Sequence, residues 1–510
     1  MSEFEDTVNN GPVDDVARPR RSFARDVLKL ASGTALAQVA SVLAAPLIGR
    51  LFSPAAFGDA ALFIAITSVL TSVVGMRYEV SIALPERDED AANSMAVSLC
   101  FVLLISGITA LVAFSVGGRL LRLLNSAELS PYLWLVPVVV LLNGIYASLN
   151  YWSVRKKYFG HFTISQVAST VFFVLVQIAA GLAGYGTRGA IIYATVGAAV
   201  VSTSILLAWS WLPWAGLFVR SVRRERMLAM LRRYSGFPKF STGSAVLNNL
   251  STQLPTFFLA AFFSPAIVGF YAMGNRLLRI PVNLIGANIA TVFFQRVAEA
   301  RNSGSVTAPV EIVFRYLAAL IVFPCLLLLF IGRDVFVLFL GAKWAEAGVY
   351  TQILSPWVLF WFLSMPLGSV LSVIEKQALE LRMIILILIT RVISLSIGGA
   401  VLHDACWTLI LFSVSGALVF GHFCYVVLRQ CEIPGRRIVR VMGENTAMFI
   451  PAGILITVLK YGLAARPLVI VAVSMVLTAL YYLNLIRTDA MVRSLMGGVL
   501  HRFVPQRVNF

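Results

Sequence analysis

The chain has 510 residues, 59% of them apolar and 13% charged, with a mean hydropathy of +0.85. Soluble globular chains carry roughly 25% charged residues, so there is too little polar side chain to cover a water-facing surface of this size, which excludes an ordinary soluble enzyme of two or three domains. The net charge of +17, from 41 basic and 24 acidic residues, reads as basic loops on one side of a membrane rather than as a nucleic-acid surface.

Residues 1–25 are polar: Glu3, Glu5, Asp6, Asp14 and Asp15 precede Arg18, Arg20, Arg21 and Arg25. A secretory signal begins basic and turns apolar at once, so this stretch is expected to be a disordered cytoplasmic tail ahead of an uncleaved helix. A bilayer-spanning helix needs about 20 apolar residues. Fourteen such runs follow, near 27–49, 57–76, 93–115, 132–152, 163–184, 189–213, 241–262, 266–294, 310–331, 347–373, 379–402, 404–428, 445–464 and 467–487. Only His403 and Asp404 separate the eleventh from the twelfth. With the N-terminus inside, 29 of the 41 basic residues fall on the cytoplasmic side, 7 on the other and 5 within the runs. That bias over short loops places both termini of a multi-pass membrane protein in the cytoplasm.

An internal echo sets the domain plan. Phe52-Ser-Pro-Ala-Ala-Phe-Gly58 returns as Phe263-Ser-Pro-Ala-Ile-Val-Gly269, five of seven positions identical at an offset of 211. In each copy the motif joins the first helix of a block of six to the second, and Pro suits the first position of a helix. Six helices separate the copies, so the blocks run parallel. Parallel repeats place a substrate path between two lobes. The expectation is an all-α polytopic fold: an N-lobe over 26–213, a basic cytoplasmic linker over 214–240, a C-lobe over 241–428 around a central cavity, and two further helices with a cytoplasmic tail over 429–510.

Charges inside the runs mark the candidate site. Arg276 lies about 16 Å along the eighth run from Pro265 at 1.5 Å per residue, near the bilayer midplane, where an Arg costs about 2.5–3.5 kcal/mol or more. Arg279, three residues on, shares its face, and Arg391 sits as deep in the eleventh run. The apolar runs contain almost no acid to pair with them, so a watery, electropositive cavity is expected. Arg suits phosphate through its planar fork of donors. Arg77-Tyr-Glu79 after the second run is either a solvated loop or the mouth of that cavity. Asn249 and Gln253, with Asn248 beside them, put amides on one face of the seventh run, for interhelical hydrogen bonds or for substrate. Arg315 and Lys460 lie close enough to the ends of their runs to snorkel. The five cysteines and four histidines show no metal-ligand spacing, so no metal, redox site or cofactor is expected.

Several of these residues resemble a known family. Tyr234-x-x-Phe-Pro238, Gln253-Leu-Pro255, Phe263-Ser-Pro265, Gly269-Phe-Tyr271, Asn275-Arg-Leu277 and Pro281 look like the Wzx-type oligosaccharide flippases, polysaccharide transporters of the multidrug/oligosaccharidyl-lipid/polysaccharide superfamily. So do Arg77-Tyr-Glu79 with Leu84-Pro85, Gly341-x-x-Trp344-x-x-x-Gly348 and Pro356-Trp357, and the likeness covers about residues 25–430. The resemblance implies two six-helix lobes around a V-shaped cavity. It also implies export of undecaprenyl-pyrophosphate-linked repeat units across the bacterial inner membrane by alternating access, with membrane lipids and polysaccharide polymerase and co-polymerase as partners. Arg276 matches a cationic cavity position of the family. Ion coupling is a family expectation, with Glu79, Asp59, His403 and Asp404 as candidate residues. The nearest rival is an ion-coupled multidrug antiporter of the same superfamily, which typically needs a buried N-lobe carboxylate; here the first helix has no acid between Asp26 and Asp59. A polysaccharide polymerase would present a large external loop, whereas the longest expected here, near 116–131 and 332–346, are short. No P-loop or nucleophile motif appears, so no enzymatic activity is expected.

Overall fold

A computed structural model describes residues 37–282, 287–302 and 305–488, and among these the regular structure is helical throughout. The N-lobe holds α1 (Ala37–Leu51), α2 (Pro54–Val74), the single turn α3 (Tyr78–Ser81), α4 (Asp88–Ser115), α5 (Gly117–Leu123), α6 (Leu135–Arg155), α7 (Phe159–Leu182) and α8 (Arg188–Leu206). Two short helices, α9 (Ala215–Ser221) and α10 (Arg224–Arg233), occupy the basic stretch between the lobes. The C-lobe holds α11 (Thr242–Phe262), α12 (Pro265–Pro281), α13 (Ala287–Asn302), α14 (Thr307–Leu340), α15 (Ala345–Val373), α16 (Gln377–Ser396) and α17 (Ala405–Gln430). The appended pair is α18 (Gly435–Thr457) and α19 (Pro467–Thr488). The expected N-terminal tail, the start of the first helix and the C-terminal tail beyond 488 lie outside the described residues.

Eleven helical runs among the described residues are long and apolar enough to cross a membrane. The other three expected spans are α1, described over a shorter length, α11, which carries the amides, and α12, only 17 residues long. Within the expected eighth run, 266–294, α12 covers the part up to Pro281 and α13 the part from Ala287, while residues 283–286 lie outside the described residues. The expected loop near 332–346 is mostly helix: α14 runs on through Gly332 and Asp334 to Leu340 and stops only at Gly341, at φ 99°. The eleventh and twelfth runs are separate helices. His403 takes a left-handed φ of 53°, and Asp404 caps α17 by accepting from the Trp407 amide at 2.9 Å.

Between lipid-immersed helices there is no hydrophobic drive, so small residues and hydrogen bonds set the packing. Gly144 of α6 leaves room for Val102 of α4, and Ser98 meets Ser148 at 3.0 Å between the same helices. Large apolar side chains such as Leu103, Leu111 and Phe114 point outward, where only lipid can receive them. The appended pair docks on α14: Phe323 stacks on Tyr481 at 4.3 Å, whose hydroxyl donates to the Ala319 carbonyl. Lys460, just beyond α18, does not snorkel as expected. Its ammonium donates to the Phe330 carbonyl at 2.9 Å and pairs with Asp334 at 2.7 Å, because the extended α14 carries that acid inward.

The two echoed turns meet. Ser53 caps α2 by accepting from the Ala56 amide, with Pro54 opening the helix, and Ser264 and Pro265 open α12 with the same extended cap conformation. The helices then cross so closely that a Cβ on Gly58 would overlap the Pro265 carbonyl, and one on Gly269 the Pro54 carbonyl. The contact is reciprocal, as a two-fold relation between parallel repeats demands. A second reciprocal pair lies beside it. Lys343 of the C-lobe donates to the Arg50 and Phe52 carbonyls at the end of α1, at 2.8 and 2.9 Å, and Trp344 donates to Gly49 at 2.7 Å. Asn125 of the N-lobe donates to Ala261 at the end of α11, at 2.8 Å. Arg50 and Ala261 are 211 residues apart, so each lobe caps the equivalent first helix of the other. These contacts seal one end of the molecule.

Candidate functional site: an arginine-lined cavity between the lobes

Away from the sealed end, the lobes diverge around three connected chambers. The widest, about 1060 Å³, is bordered by the far end of α2 with Arg77 and Glu79, by Tyr151 of α6, and by the start of α11 with Asn248 and Asn249. A side chamber of about 350 Å³ lies wholly within the C-lobe among α11, α12, α15, α16 and α17. A deep chamber of about 380 Å³ lies nearer the echoed turns, between α1, α2 and α7 of one lobe and α11 and α12 of the other. Arg279 borders all three.

Arg276 borders the deep chamber, Arg391 the side chamber and Arg279 both, and none of the three makes an ion pair among the described residues. Arg276 borders the deep chamber and donates across the lobe boundary to the Ser41 hydroxyl of α1. Arg279 has its guanidinium 5.3 Å from the Trp361 ring. Arg391 donates to the Ser251 carbonyl at 3.0 Å and hydroxyl at 2.9 Å, and lies 5.8 Å from Phe412 and 6.0 Å from Trp357. Trp357 and Trp361, one helical turn apart on α15, are parallel at 5.4 Å. Aromatic faces and neutral oxygens thus orient the guanidinium groups without cancelling their charge, which leaves donors and field available to an anion. At the repeat offset, Arg276 and Arg279 correspond to Ala65 and Ser68 of α2. These three arginines all lie on the C-lobe, and Arg77, paired with Glu79 on the wide-chamber wall, is the N-lobe's cation there.

The remaining expected residues divide. Asn249 borders the wide chamber, but its amide joins the lobes: it donates to the Ser68 carbonyl and accepts from the Ser68 hydroxyl, both at 3.1 Å. Gln253 borders the wide and deep chambers. Arg77, at a left-handed φ of 60°, and Glu79 form a loose pair at 3.7 Å on the chamber wall, and Glu79 leaves its second oxygen unpartnered. Burial pushes the Glu79 carboxyl above the usual carboxylate range, opposed by a backbone hydrogen bond and the Arg77 charge. Asp59 is buried near the sealed end and pairs with Arg188 at 3.3 Å, while Arg188 also meets Glu128. Asp404 is an exposed helix cap. Of these acids only Glu79 borders a chamber.

The sequence did not flag the polar N-lobe wall. Gln38 and Ser41 of α1 and Gln177 of α7 border the deep chamber opposite Asn275 and Arg276. Gln177 sits amid the apolar stretch 171–182 of α7, eleven residues past Gln166, and an amide so placed is itself a signal in a membrane helix.

Meeting repeats, eleven membrane-crossing helical runs among the described residues and a cationic cleft define a two-lobed polytopic membrane fold. The solved lipid II flippase MurJ in an inward closed conformation shares it, at a TM-score of 0.69 and 11% identity over 90% of this chain and 98% of that one. A multidrug resistance MATE family transporter of the MOP superfamily does so in its inward-facing conformation, at 0.59 and 16% over 81% and 95%, and an outward-facing one at 0.51 and 15% over 82% and 96%. The chain belongs to the polysaccharide biosynthesis protein family, which matches residues 47–349. No curated protein matches the sequence.

Proposed function

We propose that this protein flips undecaprenyl-pyrophosphate-linked oligosaccharide repeat units across the bacterial inner membrane by alternating access of its two lobes. The flipped units supply a surface polysaccharide (exopolysaccharide, capsule or lipopolysaccharide), with a polymerase and co-polymerase acting on the product. One observation carries this reading: Arg276, Arg279 and Arg391 line adjoining chambers among apolar helices, with no acid paired to them among the described residues. A lipid-borne pyrophosphate supplies the missing counter-charge and the fork geometry that Arg prefers. The family's tie to polysaccharide biosynthesis and the likeness to a lipid II flippase support the substrate class. A cationic drug gains nothing from such a cavity, and the buried N-lobe acid Asp59 already has Arg188 as its partner. Glu79 is the residue placed to carry a coupling proton.

The direct test is the full-length protein in proteoliposomes containing undecaprenyl-pyrophosphate-linked oligosaccharide, with sugar exposure on the opposite leaflet as the readout. Protein-dependent transfer is expected. A folded protein that transfers no lipid-linked sugar but exchanges a cationic drug for protons establishes the antiporter instead.

The orientation proposed is cytoplasmic for the termini and for α10, which turns the wide chamber toward the cytoplasm. With the native cysteines replaced, Glu225→Cys and Phe510→Cys are expected to react with an impermeant thiol reagent only after permeabilisation. Labelling of either in intact cells reverses the orientation.

A further inference from the structure

The deep chamber holds polar groups that the fold leaves unused. Gln177 is 0% exposed, yet neither its amide nitrogen nor its amide oxygen has a hydrogen-bond partner among the described residues, and the buried Asn275 Oδ1 lacks one there too. Buried polar atoms are nearly always satisfied, and an orphaned one destabilises the fold. Three orphaned amide atoms around one cavity therefore mark a place shaped for a guest rather than for packing. Its polar wall is neutral on the N-lobe side, with Gln38, Ser41 and Gln177, and carries Asn275 and the cationic Arg276 on the other. Phe57 and Phe173 supply apolar surface between them. Amides donate and accept at once, which matches hydroxyl groups that do the same. A ring with several hydroxyls, attached beside an anion, satisfies both walls together.

Resting on the flippase reading above, we infer that the deep chamber is a sugar subsite. It takes a neutral, hydroxyl-bearing saccharide ring next to the phosphate held by the arginines, and Gln177 is a specificity-determining residue that bonds its hydroxyls. The geometry orders the substrate in the cleft, with the anion on the C-lobe and the sugar reaching toward α7 and the sealed end.

The test uses the full chain in nanodiscs and two kinds of probe: bare polyprenyl pyrophosphate, and the same lipid carrying a single hexose or N-acetylhexosamine from a small panel. The wild type is expected to bind at least one glycosylated probe about tenfold more tightly than the bare lipid. Gln177→Leu is expected to bring that ratio close to one and to leave affinity for bare lipid within about twofold. Its Tm should hold or rise, because replacing an orphaned buried amide by an apolar group of similar size is neutral or favourable. An unchanged ratio in the variant means that water alone uses these amides, and overturns the subsite. A wild type that binds bare lipid but gains nothing from any sugar overturns it as well. Loss of both affinities with a fall in Tm makes Gln177 a structural residue and overturns it too. A wild type that does not bind even bare polyprenyl pyrophosphate defeats the flippase reading itself, and the subsite falls with it.

Discussion

Arg276→Ala in the full-length protein is expected to lower lipid-linked oligosaccharide translocation by about 10- to 100-fold while membrane abundance stays at the wild-type level. A hydrogen bond to a charged group contributes roughly 1.5–3 kcal/mol, and 1.4 kcal/mol is a tenfold change. Arg276 makes one described protein hydrogen bond, to Ser41, and no ion pair, so its removal strands no buried acid. Arg276→Lys keeps the charge and loses the fork, and is expected to recover only part of the activity. Ser41→Ala separates a lobe clasp from a substrate contact: if the guanidinium serves only to tie α1 to α12, the serine variant matches the alanine one. Quantifying protein and translocated sugar in the same cells decides the matter, and an abundant Arg276→Ala protein with full activity ends the hypothesis.

Gly58→Leu is expected to abolish transport, with protein still present in the membrane. Even a Cβ at this position overlaps the Pro265 carbonyl, and a branched side chain has no rotamer that avoids the backbone of the partner turn. The reciprocal overlap of Gly269 with Pro54 predicts the same outcome for Gly269→Leu. Neither residue borders the chambers, so lipid binding should survive while the sealed end is forced open. Scanning thiol accessibility around the echoed turns should show exposure to the outer solvent in both variants and protection in the wild type. Wild-type transport by Gly58→Leu would show that this seal is no part of the cycle.

Much of the architecture was legible because the bilayer imposes length and polarity on each helix. Span positions, the His403–Asp404 break and the parallel repeat all left marks in single residues. The echoed motif marked equivalent corners of the two blocks, but the close crossing that Gly58 and Gly269 permit shows only in the packing. The reach of α14 past Asp334 was hidden, because one acid in an apolar run looks like the edge of a loop until Lys460 is seen beside it.

The site was legible for its charges and illegible for its neutral wall. Arg276, Arg279 and Arg391 announce themselves by what they cost in lipid. Asn249 announces itself in the same way, yet it joins α11 to α2, so the cost argument finds polar residues without saying which face a guest. Gln177 needed the third dimension, since only the packing of α7 shows that its amide lacks a partner.

The restriction of the arginines to one lobe has a mechanical corollary. If the lobes rock as stiff units, Arg276, Arg279 and Arg391 ride together on the C-lobe, and their spacing is the same at every stage of the stroke. A phosphate gripped by them is carried as cargo on a single arm, with no hand-over between opposing charges at mid-stroke. In the deep chamber the N-lobe slides past offering only the neutral groups Gln38, Ser41 and Gln177, which are cheaper to exchange one at a time. The scaffold is doubled, and its grip is single.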